Sequence, residues 1–261
     1  MKVALIGDVH ANLPALEAVL AHARAQKASA IWNVGDMVGY GAFPDQVVQL
    51  LLQQEALSIL GEIDLAVLAF KQKKDKWRRK MAPERYAVLE RTWDNLSKKS
   101  RKALRLLSQE ARLRIAGRRI LLTHGSPLSN EEAVTAEMPL KRLRKLAKAA
   151  HADLVLCGHS HQPFKRRVDG VRFISPGSVG LPADGDPRAS YALLRIGPQR
   201  MEVRFFRVEY DIERAAAALI AQGQAELAQM VLQGRSPQPG LAEDEAVDKA
   251  QGWRKIEPAE P

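Results

Sequence analysis

Short apolar runs alternate with amphipathic segments along the first part of the chain. The apolar runs have strand length and the amphipathic segments carry apolar residues at helical spacing, in the order strand 2–7, helix 13–20, strand 30–34, helix 47–53 and strand 57–60. This order is typical of a parallel sheet that is covered by helices. The N-terminal part of the chain is therefore predicted to be α/β.

The second half of the chain is richer in predicted strands. Asp169 and Gly170 stand between two apolar runs, which is a signal for a β-hairpin. The other predicted elements are two strands within 112–125, a helix over 139–150, a strand over 153–158, a hairpin over 191–196 and 201–208, and an Ala-rich helix over about 211–232. Together the two halves predict an α/β fold in which a two-sheet β-sandwich is flanked by helices.

Charge is concentrated in one part of the chain. Residues 65–119 hold 18 Lys and Arg against 5 Asp and Glu, whereas the whole chain holds 40 against 30. We predict one domain over 1–232 with a basic helical insertion at about 65–111. The basic 65–119 block is either a solvated helical surface or a surface for a phosphate-bearing ligand or nucleic acid.

The remaining composition excludes several classes of protein. A hydrophobic fraction of 46% excludes disorder of the whole chain, and the single cysteine, Cys157, excludes a disulfide scaffold. No apolar stretch has the length of a membrane helix, and the opening run is too short for a signal peptide. We expect a soluble, cytoplasmic protein with no membrane partner. Residues 233–261, with four prolines and six acidic residues, are predicted to be a loosely ordered C-terminal tail.

Acidic and histidine side chains follow five of the predicted strands, beside glycines. The segments are Asp8-Val9-His10, Gly35-Asp36, Gly61-Glu62-Ile63-Asp64, His124-Gly125 and Gly158-His159-Ser160-His161. Because the carboxyl ends of parallel strands line one edge of a sheet, these side chains are expected to converge. Carboxylate and imidazole together favour Mn²⁺, Fe²⁺ or Zn²⁺ over Ca²⁺. The sequence therefore predicts a metal site at this edge.

These motifs resemble the calcineurin-like metallophosphoesterase superfamily, and most of all its small bacterial and archaeal phosphoesterases. The resemblance runs from Lys2 to about Val208 and is carried by GDVHANLPALEAVL (7–20), GDMVGYGAFPDQVVQLL (35–51), LTHGSP (122–127), CGHSHQP (157–163) and SPGSVGLPADGDPRASYAL (175–193). It implies the β-sandwich fold of that family with a dinuclear metal centre at the sheet edge.

The resemblance also implies a role for each matching residue. Carried over by position, the ligands of the first metal are Asp8, His10 and His161, those of the second are His124 and His159, and Asp36 bridges both. Asp36, His124 and His159 are the residues to which it assigns catalysis. A hydroxide held between two divalent ions would attack phosphorus. Mn²⁺ is the first candidate for these ions, with Fe, Zn and Ni as alternatives.

One loop departs from the family pattern, which usually reads Gly-Asn-His-Asp. Here Glu62 replaces the neutral Asn, and Ile63 replaces a His that often assists the substrate. We predict that Glu62 is a metal ligand, with a surface carboxylate as the alternative, and that Asp64 supports the loop or caps a helix. The departure also predicts an alkaline pH optimum and slow turnover of poor leaving groups, which Glu62→Asn with Ile63→His should reverse.

The substrate is less well defined by the sequence. Asn12, Tyr40 and Arg188 are candidate substrate-binding residues, with helix capping as the alternative for Asn12. We expect the basic insertion to present Lys and Arg, among them Lys73 and Arg78, toward a bound phosphate ester.

Three functions are consistent with these residues. The first is a metal-dependent phosphoesterase acting on a phosphodiester or phosphomonoester, with a small phosphate ester or a nucleotide as substrate. The second is a metal-binding regulatory or scaffold protein with weak or no hydrolysis, which the altered Gly61–Asp64 loop suggests. The third is a nucleic-acid-binding protein or nuclease that uses the basic 65–119 block. The sequence leaves the oligomeric state open.

Overall fold

The strands form two mixed five-stranded sheets. The structure is a computed structural model and describes residues 1–236. The first sheet contains β1 (Lys2–Ile6), β2 (Ala30–Asn33), β3 (Leu57–Ser58), β9 (Ala189–Ile196) and β10 (Met201–Val208), in the order β10-β9-β1-β2-β3. The second contains β4 (Glu110–Ile115), β5 (Arg118–Thr123), β6 (Leu154–Leu156), β7 (Pro163–Val168) and β8 (Val171–Pro176), in the order β4-β5-β6-β8-β7.

The two sheets share an apolar core. Leu5 of β1, Leu122 of β5 and Leu156 of β6 are buried together there, with the aliphatic residues that alternate beside them on the same strand faces. In each sheet the central strands are parallel, since β1 pairs with β2 and β5 pairs with β6. The carboxyl ends of these strands therefore open at the edge where the polar motifs follow.

Helices cover the outer faces of the sheets. They are α1 (Leu13–Ala25), α2 (Pro44–Gln53), α3 (Glu62–Lys80), α4 (Pro83–Asp94), α5 (Lys98–Arg105), α6 (Leu140–Ala150), α7 (Ile212–Ala221) and α8 (Ala225–Gln233). Apolar residues of α1–α5 join Ala4 and Ile6 of β1 in one cluster, and Leu143 of α6 packs with Phe173 of β8 in another. The predicted α/β sandwich flanked by helices is confirmed.

Some predicted elements differ in extent. The Ala-rich segment forms two helices, not one, because Gly223 adopts a positive φ of 73° and ends the first of them. The strand predicted over 57–60 is paired only at Leu57–Ser58. Within residues 1–236 there is no helix with the length and apolar character needed to cross a bilayer. The predicted tail from residue 237 onward lies outside the described residues.

Candidate metal centre

Six buried side chains meet at the carboxyl edge of the two sheets. Asp8 and His10 follow β1, Asp36 follows β2, His124 follows β5, and His159 and His161 follow β6. Backbone hydrogen bonds tie two of these loops together, because the Asp8 N–H donates to Gly35 O at 3.0 Å and the His10 N–H donates to Asp36 O at 2.9 Å. The convergence expected from the sequence is therefore present in the structure.

A first group of ligands consists of Asp8, His10 and His161. The Nε2 atoms of the two imidazoles are 3.0 Å apart, and His161 Nε2 is 3.5 Å from Asp8 Oδ1. His161 Nδ1 lies 2.6 Å from Leu181 O and His10 Nδ1 lies 3.4 Å from Val38 O. Because a carbonyl oxygen can only accept, Nδ1 carries the hydrogen on each ring and Nε2 presents a lone pair. Two lone pairs that face each other at this distance repel, and a shared cation relieves the repulsion.

A second group is centred on His124, which is fully buried. Its Nδ1 donates to Val34 O at 2.8 Å, so that Nε2 is the free ring nitrogen. Nε2 lies 3.4 Å from Asp36 Oδ2 and 4.0 Å from Asp8 Oδ1, yet it makes no hydrogen bond. A buried nitrogen without a hydrogen bond, between two carboxylates, fits a metal ligand.

Asp36 lies between the two groups. Its Oδ1 accepts from the Ile63 N–H at 2.9 Å, while its Oδ2 lies 3.4 Å from His124 Nε2 and 3.8 Å from His10 Nε2. Gly61 is required here, because a Cβ at that position would lie 2.0 Å from Asp36 Oδ1. This placement of Oδ2 is consistent with the predicted bridge. Asp8 also reaches both groups, since its carboxylate is near both His161 and His124.

The backbone at the site is strained. Asp8, His10, Asp36, His159 and His161 all adopt the left-handed region, with φ between 46° and 66°. Each such residue costs roughly 1–2 kcal/mol relative to ordinary backbone, and strain of this kind clusters at functional sites. Sequence reasoning did not find this feature, although the glycines directly before Asp8, Asp36 and His159 indicate sharp turns.

Burial and mutual charge shift the titration of these groups in the metal-free chain. Burial raises the pKa of Asp8 to about 8 and lowers the pKa of His159 to about 4. Burial opposes the ionisation of Asp36, but His124, His10 and His159 together outweigh it and lower the pKa of that carboxyl. Burial likewise opposes the charge of His124, while Asp36 raises the pKa of the imidazole to about 10. Cations bound here would therefore compete with protons.

Glu62, the first residue of α3, faces the same cleft. Its side chain is 21% exposed and its Oε1 lies 3.8 Å from His159 Nδ1. Burial, reinforced by the charge of Asp36, raises the pKa of Glu62 to about 7. The Glu62 carboxylate thus lies beside the second group of candidate ligands. That it binds a metal stays a prediction.

The next two residues turn away from the cleft. Ile63 is 1% exposed and packs in the core against Gly39, so a histidine at this position would enter the core and not meet a substrate. The expectation that Ile63→His would supply a proton donor stays a prediction, and the burial of Ile63 in the core does not support it. Asp64 accepts from the backbone N–H groups of Gly61 at 3.0 Å and Val38 at 3.1 Å. It supports the loop and the start of α3, as predicted.

A cleft of about 560 Å³ opens over the ligands. Its lining includes five ligand candidates and, beyond them, Tyr40, Ala133, Thr135, Ser160, Gln162, Ala183, Arg235 and Ser236. Tyr40 lies edge-on to His10, and burial raises the pKa of its hydroxyl to about 12. The phenol is therefore protonated at neutral pH. Sequence reasoning identified Tyr40 but missed the other side chains, of which Ser160, Gln162 and Ala183 lie within the quoted motifs and the rest lie outside them.

Two of the candidate substrate residues lie elsewhere. Asn12 caps α1, accepting from the Ala15 N–H at 3.2 Å, and its amide donates to Gly180 O and to the Tyr210 hydroxyl. These hydrogen bonds occupy the Asn12 side chain, which does not line the cleft. Arg188 does not line the cleft; its guanidinium pairs with Asp186 at 2.7 Å.

The basic insertion contacts the site through α4 and not through the Lys and Arg residues of α3 that were expected there. Lys73, Lys74, Arg78 and Arg79 do not line the cleft, because they lie 11 to 17 residues beyond Glu62. At the rise of an α-helix this is roughly 16–26 Å along α3. The insertion contributes Arg91 of α4 instead, which donates to Tyr40 O at 2.7 Å and so holds the loop that carries this tyrosine.

The fold and these side chains define a class of protein, an α/β sandwich with clustered ligands for divalent metal ions at the carboxyl ends of its strands. The family model of the calcineurin-like phosphoesterase superfamily domain matches residues 1–198, and the chain belongs to that superfamily. The resemblance read from the motifs is confirmed, and with it a metal-dependent phosphoesterase in general terms.

Individual relatives match most of the chain. The uncharacterized protein MJ0912 of Methanocaldococcus jannaschii is 30% identical over 240 residues, which is 84% of this chain and 91% of that protein. The crystal structure of a metallophosphoesterase from Sphaerobacter thermophilus aligns with a TM-score of 0.74 at 29% identity, over 90% of this chain and 99% of that one. The protein PH1004 of Pyrococcus horikoshii aligns with a TM-score of 0.80 at 21% identity, over 89% and 98%, and shows the shared fold.

Proposed function

We propose that this chain is a dinuclear-metal phosphoesterase that hydrolyses a phosphodiester or a phosphomonoester. The observation that carries the proposal is the buried Nε2 of His124, which has no hydrogen bond and faces the carboxylates of Asp8 and Asp36. The lone pairs of His10 and His161, which face each other at 3.0 Å, support a second cation beside it.

Two divalent ions, when bound, would supply Lewis acidity toward the phosphoryl oxygens and acidify a water into a nucleophile. Asp8, His10 and His161 would hold the first ion, His124, His159 and Glu62 would hold the second, and Asp36 would contact both. The Ile63 N–H fixes the rotation of the Asp36 carboxylate. The protonated hydroxyl of Tyr40 lines the cleft and can donate a hydrogen bond to a substrate oxygen. Mn²⁺ as the native metal and a cytoplasmic location belong to the same proposal.

The test is turnover after metal exchange. The full chain is stripped with a chelator, reloaded with Mn²⁺, Fe²⁺, Zn²⁺ or Ni²⁺, and assayed on 4-nitrophenyl phosphate and bis(4-nitrophenyl) phosphate. We expect activity only with metal, and a loss of about 100-fold or more in Asp36→Asn and His124→Ala, because both remove charge stabilisation in the transition state. His151→Ala, on an exposed histidine outside the cleft, is the matched control. Wild-type chain that binds metal without turnover would instead favour the scaffold alternative.

The exposed basic face of α3 favours nucleic acid as a second candidate ligand. Lys73, Lys74 and Arg79 are partly or fully exposed on the C-terminal half of this helix. If they contact phosphates, binding to a short RNA or DNA should weaken steeply with salt, through counterion release. Binding that is absent at low salt would leave this face as a solvated surface.

A further inference from the structure

One basic side chain, Arg235, reaches the cleft from an element that supplies no metal ligand. It lines the same space as Glu62, His159 and His161. Within residues 1–236 its guanidinium has no hydrogen bond or ion pair. A guanidinium stays charged at any pH at which proteins fold, and it is suited to bidentate contacts with carboxylates and phosphates. A charge placed in the cleft without a partner among residues 1–236 is available to an anionic ligand.

The end of α8 fixes where this side chain begins. Gly234 takes a left-handed φ of 61°, its N–H donates to Val231 O at 3.2 Å, and the Arg235 N–H donates to Met230 O at 2.9 Å. This pair of bonds is a Schellman motif, which ends a helix and sets the direction in which the chain leaves it. The backbone of Arg235 is therefore directed by the helix end.

The same helix end is docked against the loop before β9. The Gly185 N–H donates to Gly234 O at 3.0 Å, and a Cβ on Gly234 would lie 2.6 Å from the carbonyl carbon of Asp186. On its other side α8 buries Ala228 and Val231 against Leu181, whose carbonyl accepts from His161 Nδ1. Arg235 is thus anchored to the structure that positions a metal ligand.

We infer that Arg235 binds a second anionic group of the substrate, while the reacting phosphate lies at the metal ligands. A cleft of about 560 Å³ has the size of a site for a small molecule. The inference rests on the proposed function and narrows its substrate class to small phosphate esters that carry a further carboxylate or phosphate. An ester with a single anionic group leaves the guanidinium without a partner.

Non-hydrolysable ligands test this inference separately from catalysis. Alkane-α,ω-bisphosphonates with spacers of two to six carbons, and the matching alkylphosphonates, are titrated by calorimetry into the Mn²⁺-loaded full chain. We expect one spacer length to bind about 10-fold more tightly than its monophosphonate, as a charge-assisted pair of hydrogen bonds allows. Arg235→Ala and Arg235→Gln should abolish this preference and leave monophosphonate binding unchanged. Arg114→Ala, which removes an exposed arginine of β4, is the control and should keep it.

The outcomes separate the two proposals. The inference is overturned if no spacer length is preferred, or if the preference survives both substitutions at Arg235 in chains that retain their metal and melting temperature. If the preference depends on Arg235 but the wild-type chain hydrolyses neither nitrophenyl ester with any metal, the proposed function fails and the anion site stands. If the wild-type chain hydrolyses a nitrophenyl ester but prefers no spacer length, the proposed function stands and the inference about Arg235 fails.

Discussion

Lowering the pH from about 8 to about 6 is predicted to weaken metal binding to this chain by roughly 50-fold through Asp8 alone. Asp8 must be ionised to bind a cation, and burial raises the pKa of its carboxyl to about 8 in the metal-free chain. Its ionised fraction therefore falls from about one half to about one hundredth over this range, since each pH unit below the pKa is tenfold. The raised pKa of Glu62, about 7, steepens the same trend.

The stability of the metal-free chain should change with pH in the opposite sense. A carboxyl whose pKa is higher in the folded than in the unfolded chain binds more protons when folded. The free energy of unfolding therefore falls as the pH rises from the unfolded pKa to the folded pKa. For Asp8 this interval runs from the ordinary pKa of an aspartate, 3.8, to about 8. Metal binding removes the penalty, because it neutralises the carboxylate. The rise in melting temperature on adding metal should therefore be larger at about pH 8 than at about pH 6.

The assay is a competition between the chain and a fluorescent chelator for Mn²⁺ at several pH values, with proton release measured by calorimetry in buffers of different ionisation enthalpy. Asp8→Asn should bind metal weakly, with a shallower dependence on pH. Asp169→Asn, which changes an exposed carboxylate outside the cleft, should retain the wild-type slope. A dissociation constant that stays the same between about pH 6 and about pH 8 would refute the reasoning.

Three other substitutions test the architecture around the ligands. Gly61→Ala should displace Asp36, since the added Cβ would lie 2.0 Å from Oδ1, and metal analysis should show reduced occupancy; full occupancy would contradict the close packing. Arg91→Ala should release the loop that carries Tyr40, and so raise the KM for the nitrophenyl esters with little change in melting temperature. An unchanged KM would show that the hydrogen bond from Arg91 to Tyr40 O is dispensable. Ile63→His should cost about 2 kcal/mol or more of unfolding free energy in denaturant titrations, because it buries an imidazole in the core; a stable variant with improved alkyl-ester turnover would overturn the placement of Ile63.

The convergence of the candidate metal ligands could be predicted because few places in an α/β fold suit such side chains. A buried apolar strand that ends in Asp or His must bring that side chain to the sheet edge, whatever the detail of the loop. This reasoning holds for Asp8, Asp36 and His124, which lie many residues apart in the chain and together in the fold. The left-handed backbone of Asp8 and Asp36 was not predictable, since Asp adopts it only where surrounding contacts impose it.

The candidate substrate-binding residues could not be predicted in the same way, because the direction of a side chain depends on the conformation of the loop that carries it. Asn12 stands next to the ligands in sequence, yet its amide is consumed by the cap of α1 and by Gly180 O. The basic insertion was expected over the cleft, but α3 starts at the site and carries its lysines away along the helix axis. Arg91 lies further along the chain than those lysines, and its guanidinium donates to the backbone carbonyl of Tyr40 at the site. Such a contact has no sequence signature.

Charge connects the altered loop with the far end of the chain. The two divalent ions of the proposed centre would bring four positive charges, and Asp8 and Asp36 would neutralise two of them. A neutral residue at position 62 would leave a net charge of about +2, whereas an ionised Glu62 leaves about +1 and so a weaker attraction for a phosphate dianion. Arg235 adds a positive charge to the same cleft from the end of α8, an element that carries none of the candidate ligands. If both proposals hold, the cleft would attract the reacting phosphate less strongly and a second anionic group more strongly, which would favour substrates with two anionic groups over those with one.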